Sequence, residues 1–414
     1  MERPLDVFSC EQEPIRIPGA IQPHGVLLAV DPEQLVVRQA AGEPGWVGAA
    51  MAGLPLGRQL EEWSAPLAAL VRQFQASRAP GGFQGSLSGA GRPVDVTVHR
   101  GRAGVLLLEL EPGDPERAGA AECLAEVEEA AGAFERAHDN EELLQQAAIL
   151  FRRITGFDRV MVYRFLEDNA GQVVAEDRAE GLHSFLDHRF PASDIPAQAR
   201  DLYVRNTVRV IPDVTYRPLP LERAPGEPDD GPLDLSDCVL RSVSPIHLQY
   251  LENMGVAASA SISIVAGDVL WGLIACHHMT PRRLPYEVRA MCRVLARVLS
   301  RQIGAQADAA IHRQRIRLRA MEDDLLARLA REDGFEEGLE RHAAAFTQLV
   351  SADGMAICRN GRVEIHGDCP APHQVEAVRD WLFNEEMVQP FATEALPERF
   401  PAAREFVGTG AGLL

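Results

Sequence analysis

Residues 241–278, RSVSPIHLQYLENMGVAASASISIVAGDVLWGLIACHH, constrain the fold of this chain more than any other stretch. Two runs rich in small and β-branched residues, 258–265 and 269–278, flank Gly267 and Asp268, which predicts a β-hairpin. Two histidines, a tyrosine, an arginine and a ladder of serines are thereby led into an interior. Buried polar groups need partners, and so many at once point to a bound polar ligand. A plain two-residue turn would put Ser259 and His277 on opposite faces, whereas one extra residue or a bulge would set them opposite each other on one face.

The rest of the chain builds around that segment. Residues 1–18 are polar and proline-punctuated, an extended arm carrying Cys10. Strand-like runs GVLLAVD, LVVRQA, PVDVTVHR and GVLLLELEP, with a helical piece near residues 67–74, predict a small α+β domain. An acidic helical stretch from Glu116 to about Thr155 follows. Its apolar face, Leu143, Leu144, Ala147, Ala148, Phe151 and Ile154, has helical spacing. GFDRVMVYRF and QVVAEDRA then read as a hairpin opening a second α+β domain. In FPASDIPAQARDLY, Pro196 places a turn just before a helix, so the carbonyls preceding it are free for a ligand. Residues 214–237 carry five prolines, a loop long enough to be functional. From Pro285 the pattern is helical, with Gly304 as its one breaker, and Ile311, Leu318 and Leu325 recur every seven residues as in a helix packed along a partner. Two short strands and a helix near 374–383 close the chain, whose end looks premature.

Charge and cysteine usage exclude some partners. A net charge of −19 opposes nucleic-acid binding and anionic membranes. With no apolar run of eighteen residues and no signal peptide, the expected location is cytoplasmic. Seven cysteines without a CxxC pair disfavour a disulfide framework and a structural zinc site. The Cys276, His277, His278 run is a poor metal site, because in a strand His277 points away from both neighbours.

Several residues carry two readings. Cys10 is an incidental exposed thiol or an attachment point for an electrophilic ligand. His247 and His277 are satisfied core histidines or control the hydrogen bonding of an organic ligand. Arg209 and Arg241 are surface charges or bidentate clamps for carboxylates. Tyr163, Tyr203 and Tyr250, three of only five tyrosines, pack a core or line a site.

IPGAIQPHG at 17–25, PASDIP at 191–196, RSVSPIHLQYLENMGV at 241–256 and LWGLIACHH at 270–278 together resemble the photosensory module of a bacterial phytochrome. The resemblance covers nearly the whole chain. It implies an arm (1–18), a PAS domain (19–115), a chromophore-binding GAF domain (125–305), and a helical spine with a truncated, GAF-like PHY domain (306–414). The implied fold class is α+β, with antiparallel sheets flanked by helices. In it the arm threads through the 214–237 loop in a figure-of-eight knot, with Ile21 inside.

The resemblance also implies a linear tetrapyrrole. Phytochromes that use phycobilins carry a cysteine directly before the histidine of HLQY, where this chain has Ile246, so the implied cofactor is biliverdin in thioether linkage to Cys10. Residue by residue, the Asp194 backbone carbonyl and His247 are expected about the pyrrole nitrogens, with Ile195 and Pro196 also expected at the cofactor. Arg209, Arg241 and Tyr203 would hold one propionate, and Ser259 and Ser261 the other. His277 would bond the ring D carbonyl, among Tyr163, Phe185, Phe190 and Tyr250. Light would rotate ring D about C15=C16. The implied partners are a second copy through the long helices and, in an intact protein, an output histidine kinase and response regulator. No catalytic machinery is visible, so the expectation is a non-enzymatic fragment. The alternatives are a non-photochemical GAF sensor for a cyclic nucleotide or haem, and a purely structural dimerisation module.

Overall fold

The structure, a computed structural model, describes all residues except 1–12, 48–52, 78, 80, 89–91, 229–230 and 385–389. Cys10 therefore lies outside the described residues. Contacts divide the chain into two units, residues 1–307 and 308–414.

In the first unit the strands and helices run β1 (Ala20–Ile21), β2 (Val26–Val30), β3 (Val37–Ala41), α1 (Leu60–Trp63), α2 (Ala65–Ala76), β4 (Gly81–Ser88), β5 (Pro93–Arg100), β6 (Leu106–Pro112), α3 (Ala120–Arg136) and α4 (Asn140–Thr155). There follow β7 (Arg159–Phe165), β8 (Gly171–Arg178), β9 (Arg189–Phe190), α5 (Ala197–Arg205), β10 (Val208–Ile211), β11 (Leu219–Pro220), β12 (Glu222–Arg223), α6 (Pro245–Asn253), β13 (Ala258–Ala266) and β14 (Val269–His278). Helix α7 (Tyr286–Leu329) begins here and continues into the second unit without a break at Gly304.

The acidic helical stretch expected from 116 to about 155 is built as two helices, α3 and α4. The side chain of Asp139 caps the second by accepting from Glu142 N at 2.9 Å, and a new cap requires the first helix to have ended. Gly156, at φ 64°, ends α4 in the left-handed conformation that glycine adopts without strain.

Two six-stranded antiparallel sheets form the cores. The first has the order β12-β3-β2-β6-β5-β4 and packs α1 and α2; the second has the order β10-β13-β14-β7-β8-β9. One face of the second sheet, with Val160, Val162, Ala258, Ala260, Ile262, Ile274 and Cys276, buries against α3, α4 and the first turns of α7. Strand period 2 then commits Arg209, Ser259, Ser261, His277 and Tyr163 to the other face.

The 214–237 loop is partly ordered into strands. Ile21 pairs with Leu219, Leu235 N donates to Arg16 O, and Gln22 N donates to Leu240 O, so residues 16–22 are hydrogen-bonded to both limbs of that loop. The fully buried Gln22 side chain donates to Val210 O at 3.1 Å and to Val239 O at 3.3 Å. Loop and first sheet are joined through Glu109, whose oxygens accept from Leu240 N (2.7 Å) and meet His99 Nε2 (2.9 Å). Cys238 lies within 4.8 Å of both groups, yet the two oxygens of Glu109 are already taken, so the cluster is satisfied as a hydrogen-bonded pair. A buried ion pair, Arg289 on α7 with Glu111 on β6, ties the second domain to the first (Nη1 to Oε1, 2.8 Å).

The second unit holds the rest of α7, then α8 (Phe335–Arg341), α9 (Ala343–Val350), the hairpin β15 (Gly354–Arg359) and β16 (Arg362–Gly367), α10 (Pro372–Asn384) and α11 (Leu396–Arg399). Val378, Leu396, Ala403 and Phe406 form its small core. On α7, Ile311 and Leu318 are exposed and Leu325 is buried. No helix among the described residues is long and apolar enough to cross a membrane.

Candidate functional site

A cavity of about 390 Å³ opens over the polar face of the second sheet, a size typical of small-molecule sites. Strands β10, β13, β14 and β7 floor it, α5 and α6 wall it, and residues 13 and 15 of the arm close it. Thirteen of the fifteen residues expected at the site line it: Tyr163, Phe190, Asp194, Ile195, Pro196, Tyr203, Arg209, Arg241, His247, Tyr250, Ser259, Ser261 and His277. Phe185 stands behind that lining, its ring 6.3 Å from that of Phe190, with the Arg159 guanidinium 4.5 Å above it. Cys10 is the fifteenth.

Register explains the convergence. The β13–β14 hairpin combines an Ala266–Val269 pair next to its turn with a bulge between Ile264 and Val265, and the bulge sets Ser259 directly opposite His277. Across the sheet, Arg209 pairs with Ser261, Ser261 with Ala275, and Leu273 with Tyr163, giving one continuous polar-to-aromatic surface. Proline placement supplies the walls. Pro196 is the N-cap of α5 and Pro245 occupies the first turn of α6, which carries His247 and Tyr250 on one side.

Electrostatics then define what fits. Arg209 and Arg241 are both buried, and neither has a carboxylate partner among the described residues. Arg209 donates to Val239 O (3.2 Å) and to Arg241 O, and Arg241 donates to Ile15 O. Burial, and then repulsion from Arg209, pushes Arg241 down to about 9, so its guanidinium is charged at neutral pH, and burial lowers Arg209 as well. By contrast, a larger cleft of about 550 Å³ beside residues 14–17 has Arg16 and Arg102 paired with Asp234, and Arg38 with Asp31.

Burial, then the charge of Arg209, drops His247 to about 4. Burial, then Arg159 and His247, drops His277 to about 3, so both imidazoles are neutral. The rings of His247 and Tyr250 stack, centroids 6.2 Å apart, and Tyr250 Oη donates to Asp194 Oδ2 at 3.3 Å. Burial raises Asp194, and that hydrogen bond opposes it. Burial likewise raises Tyr163, to about 12.

Four buried polar atoms without a partner line this cavity: Glu13 Oε2, Arg241 Nε, Ser244 Oγ and His277 Nδ1. Such atoms are costly unless a ligand meets them. Glu13 and Ser244 were not singled out from sequence. Ser244 stands in the same SPIH run as His247 and was legible as the residue before a helix-starting proline, while Glu13 lies in an arm with no periodicity to mark it.

Fold and site together define two antiparallel-sheet domains, the second with a cavity whose buried guanidiniums suit an acidic small molecule. Known proteins narrow this further. Family models match as PAS fold over residues 10–113, GAF domain over 139–307 and Phytochrome region over 318–414. Cyanobacterial phytochrome B of Nostoc sp. is 36% identical over 425 residues, covering 99% of this chain and 55% of that protein. A bacteriophytochrome of Xanthomonas campestris pv. campestris is 36% identical over 430 residues, covering 99% and 66%. The Stigmatella aurantiaca phytochrome photosensory core module superposes with a TM-score of 0.77 at 37% identity, covering 97% of this chain and 81% of that one. A bacteriophytochrome from the photosynthetic bacterium R. palustris gives 0.78 at 38%, covering 98% and 82%. This chain belongs to the phytochrome family, and it spans about half the length of the cyanobacterial relatives it matches.

Proposed function

We propose that the chain is the sensory part of a red/far-red light receptor that holds biliverdin covalently. The observation that carries this reading is the pair of buried guanidiniums, Arg209 and Arg241, facing one cavity with neither paired to a carboxylate among the described residues. A ligand with carboxylate arms satisfies them, and Ser259 and Ser261 offer hydroxyl donors for a second arm on the neighbouring strand. When bound, biliverdin would supply a conjugated system that absorbs red light and isomerises at its C15=C16 double bond.

The residues divide the work. Glu13 of the arm reaches the cavity, and Cys10 stands three positions earlier in the same arm. Adding the Cys10 sulfur across a vinyl group, with the thiol proton passing to the other vinyl carbon, consumes no oxidant. The Asp194 carbonyl and the neutral His247 ring accept from pyrrole N–H groups. His277 offers an unpartnered ring nitrogen at the far end, where Tyr163, Phe190 and Tyr250 pack and Phe185 backs them. A cyclic nucleotide, with one phosphate and no electrophile, uses neither the second guanidinium nor the arm thiol.

The remaining parts of the reading concern the larger protein. Residues 16–22, paired to both limbs of the 214–237 loop, support a figure-of-eight crossing. The exposed Ile311 and Leu318 support a homodimer along α7. The fragment itself carries no catalysis; in a longer chain it would act in the cytoplasm on a histidine kinase and its response regulator.

The test mixes the purified chain and a Cys10→Ser variant with biliverdin, then records absorption and zinc-induced fluorescence on a denaturing gel. The expected result is a sharp red band in both and gel fluorescence in the parent alone. A spectrum no different from free biliverdin overturns the reading.

A further inference from the structure

Gly171 opens β8 in ordinary extended backbone, paired to Phe165 on β7 and to Phe190 on β9. Its φ lies outside the left-handed region, so nothing in the backbone demands glycine. Space does. A Cβ built on Gly171 falls inside the Tyr163 phenol, against Cζ, Oη and Cε1. The missing side chain is thus the seat of that ring.

The seat has one open side. Phe165 packs edge-on against Tyr163 at 5.3 Å and Phe190 lies tilted at 6.0 Å, so aromatic rings occupy two sides and the Gly171 backbone a third. A bulge between Val162 and Tyr163 shifts the β7–β8 register so that Tyr163 pairs with Val173 while Phe165 pairs with Gly171. Tyr163 is buried and lines the cavity, so a ring displaced from its seat has the cavity to enter.

We infer that Gly171 is a positioning residue that sets the length of the cavity at its aromatic end, by seating the Tyr163 ring out of the ligand's way. Any side chain at 171 shortens the cavity through Tyr163, and it does so without touching the ligand. The functional half of this inference rests on the proposed bilin reading; the geometric half does not.

A double-mutant cycle on the whole chain separates the two: parent, Gly171→Ala, Tyr163→Leu and the double variant. Without biliverdin, filling an occupied site lowers the thermal midpoint of the Gly171→Ala protein by on the order of 5 °C, as overpacking does. In the Tyr163→Leu background, where the seat is empty, the same change leaves the midpoint within about 1 °C. With biliverdin, Gly171→Ala changes the emission yield about threefold or more, and the double variant matches Tyr163→Leu.

Additive effects in the melting cycle overturn the inference. A coupled melting cycle in a parent that takes up no biliverdin upholds the seat and sinks the bilin reading instead. If Gly171→Ala alone fails to fold, a folded double variant still supports the seat, and failure of both variants overturns it.

Discussion

Ser259 and His277 face each other as cross-strand partners, a relationship created by one bulge between Ile264 and Val265. Without it, a two-residue turn would align Ser259 with Cys276, whose side chain belongs to the apolar core on the opposite face. The bulge therefore sends the serine and the histidine to the cavity and the cysteine to the core. On the other edge of β13, Ser259 pairs with Ile211 and Ser261 with Arg209 of β10, so the anion clamp stands beside the serine ladder.

The clamp predicts opposite signs for binding and stability. Arg209→Met should weaken biliverdin uptake about 10-fold or more, because a charge-assisted contact to carboxylate is lost. Without ligand the same variant should be as stable as the parent or more so, since a buried cation with no counter-charge among the described residues is removed. Equilibrium binding and thermal melts of the apoprotein check both; a variant that melts lower and binds equally well refutes the assignment.

Acid sensitivity follows from three buried histidines. Burial holds His24 at about 4, His247 at about 4 and His277 at about 3, against 6.5 when unfolded. Between those values the unfolded chain binds protons that the folded chain does not, so stability falls as pH falls from about 6.5 toward 4. Each group contributes about 3 kcal/mol of that loss. Denaturant titrations of the apoprotein from pH 8 to pH 4 should show the decline, and His277→Gln should flatten it by about one proton's slope.

The Arg289–Glu111 pair should behave as a buried ion pair between domains. Arg289→Met strands Glu111 beside His24 at 3.7 Å and costs about 3–5 kcal/mol. Adding Glu111→Leu should recover most of that loss, because the penalty lies in the unpaired charge. Melting the two variants decides it.

The hairpin was legible in the sequence because period-2 alternation and a Gly-Asp turn are local signals. The face on which Ser259 would lie was legible only as a condition, since a bulge costs one unpaired residue and leaves no mark in residue type. Helix α4 could be read from its spacing, but the Asp139 cap that separates it from α3 was lost in an evenly acidic stretch. The pairing of residues 16–22 with both limbs of the 214–237 loop is long-range, and the proline-rich text there shows only irregularity. At the site, residue chemistry pointed to the arginines and histidines, whereas the role of Gly171 depends on where the Tyr163 ring lies and had no trace in the sequence.

Tyr250 offers a spectroscopic test of how Asp194 is held. Its hydroxyl donates to Asp194 Oδ2 and so favours the carboxylate, against a burial that favours the neutral acid. Tyr250→Phe removes the opposing contribution and leaves the ring's packing against His247 in place. The Asp194 titration must then move upward. Because a neutral Asp194 no longer balances a protonated bilin, the red absorption band of the biliverdin-loaded variant should begin to weaken at a higher pH than in the parent as acid is added. Spectra recorded across pH 4 to 8 read the midpoint directly. A midpoint that stays put or moves down would show that the Tyr250 contact does not govern Asp194.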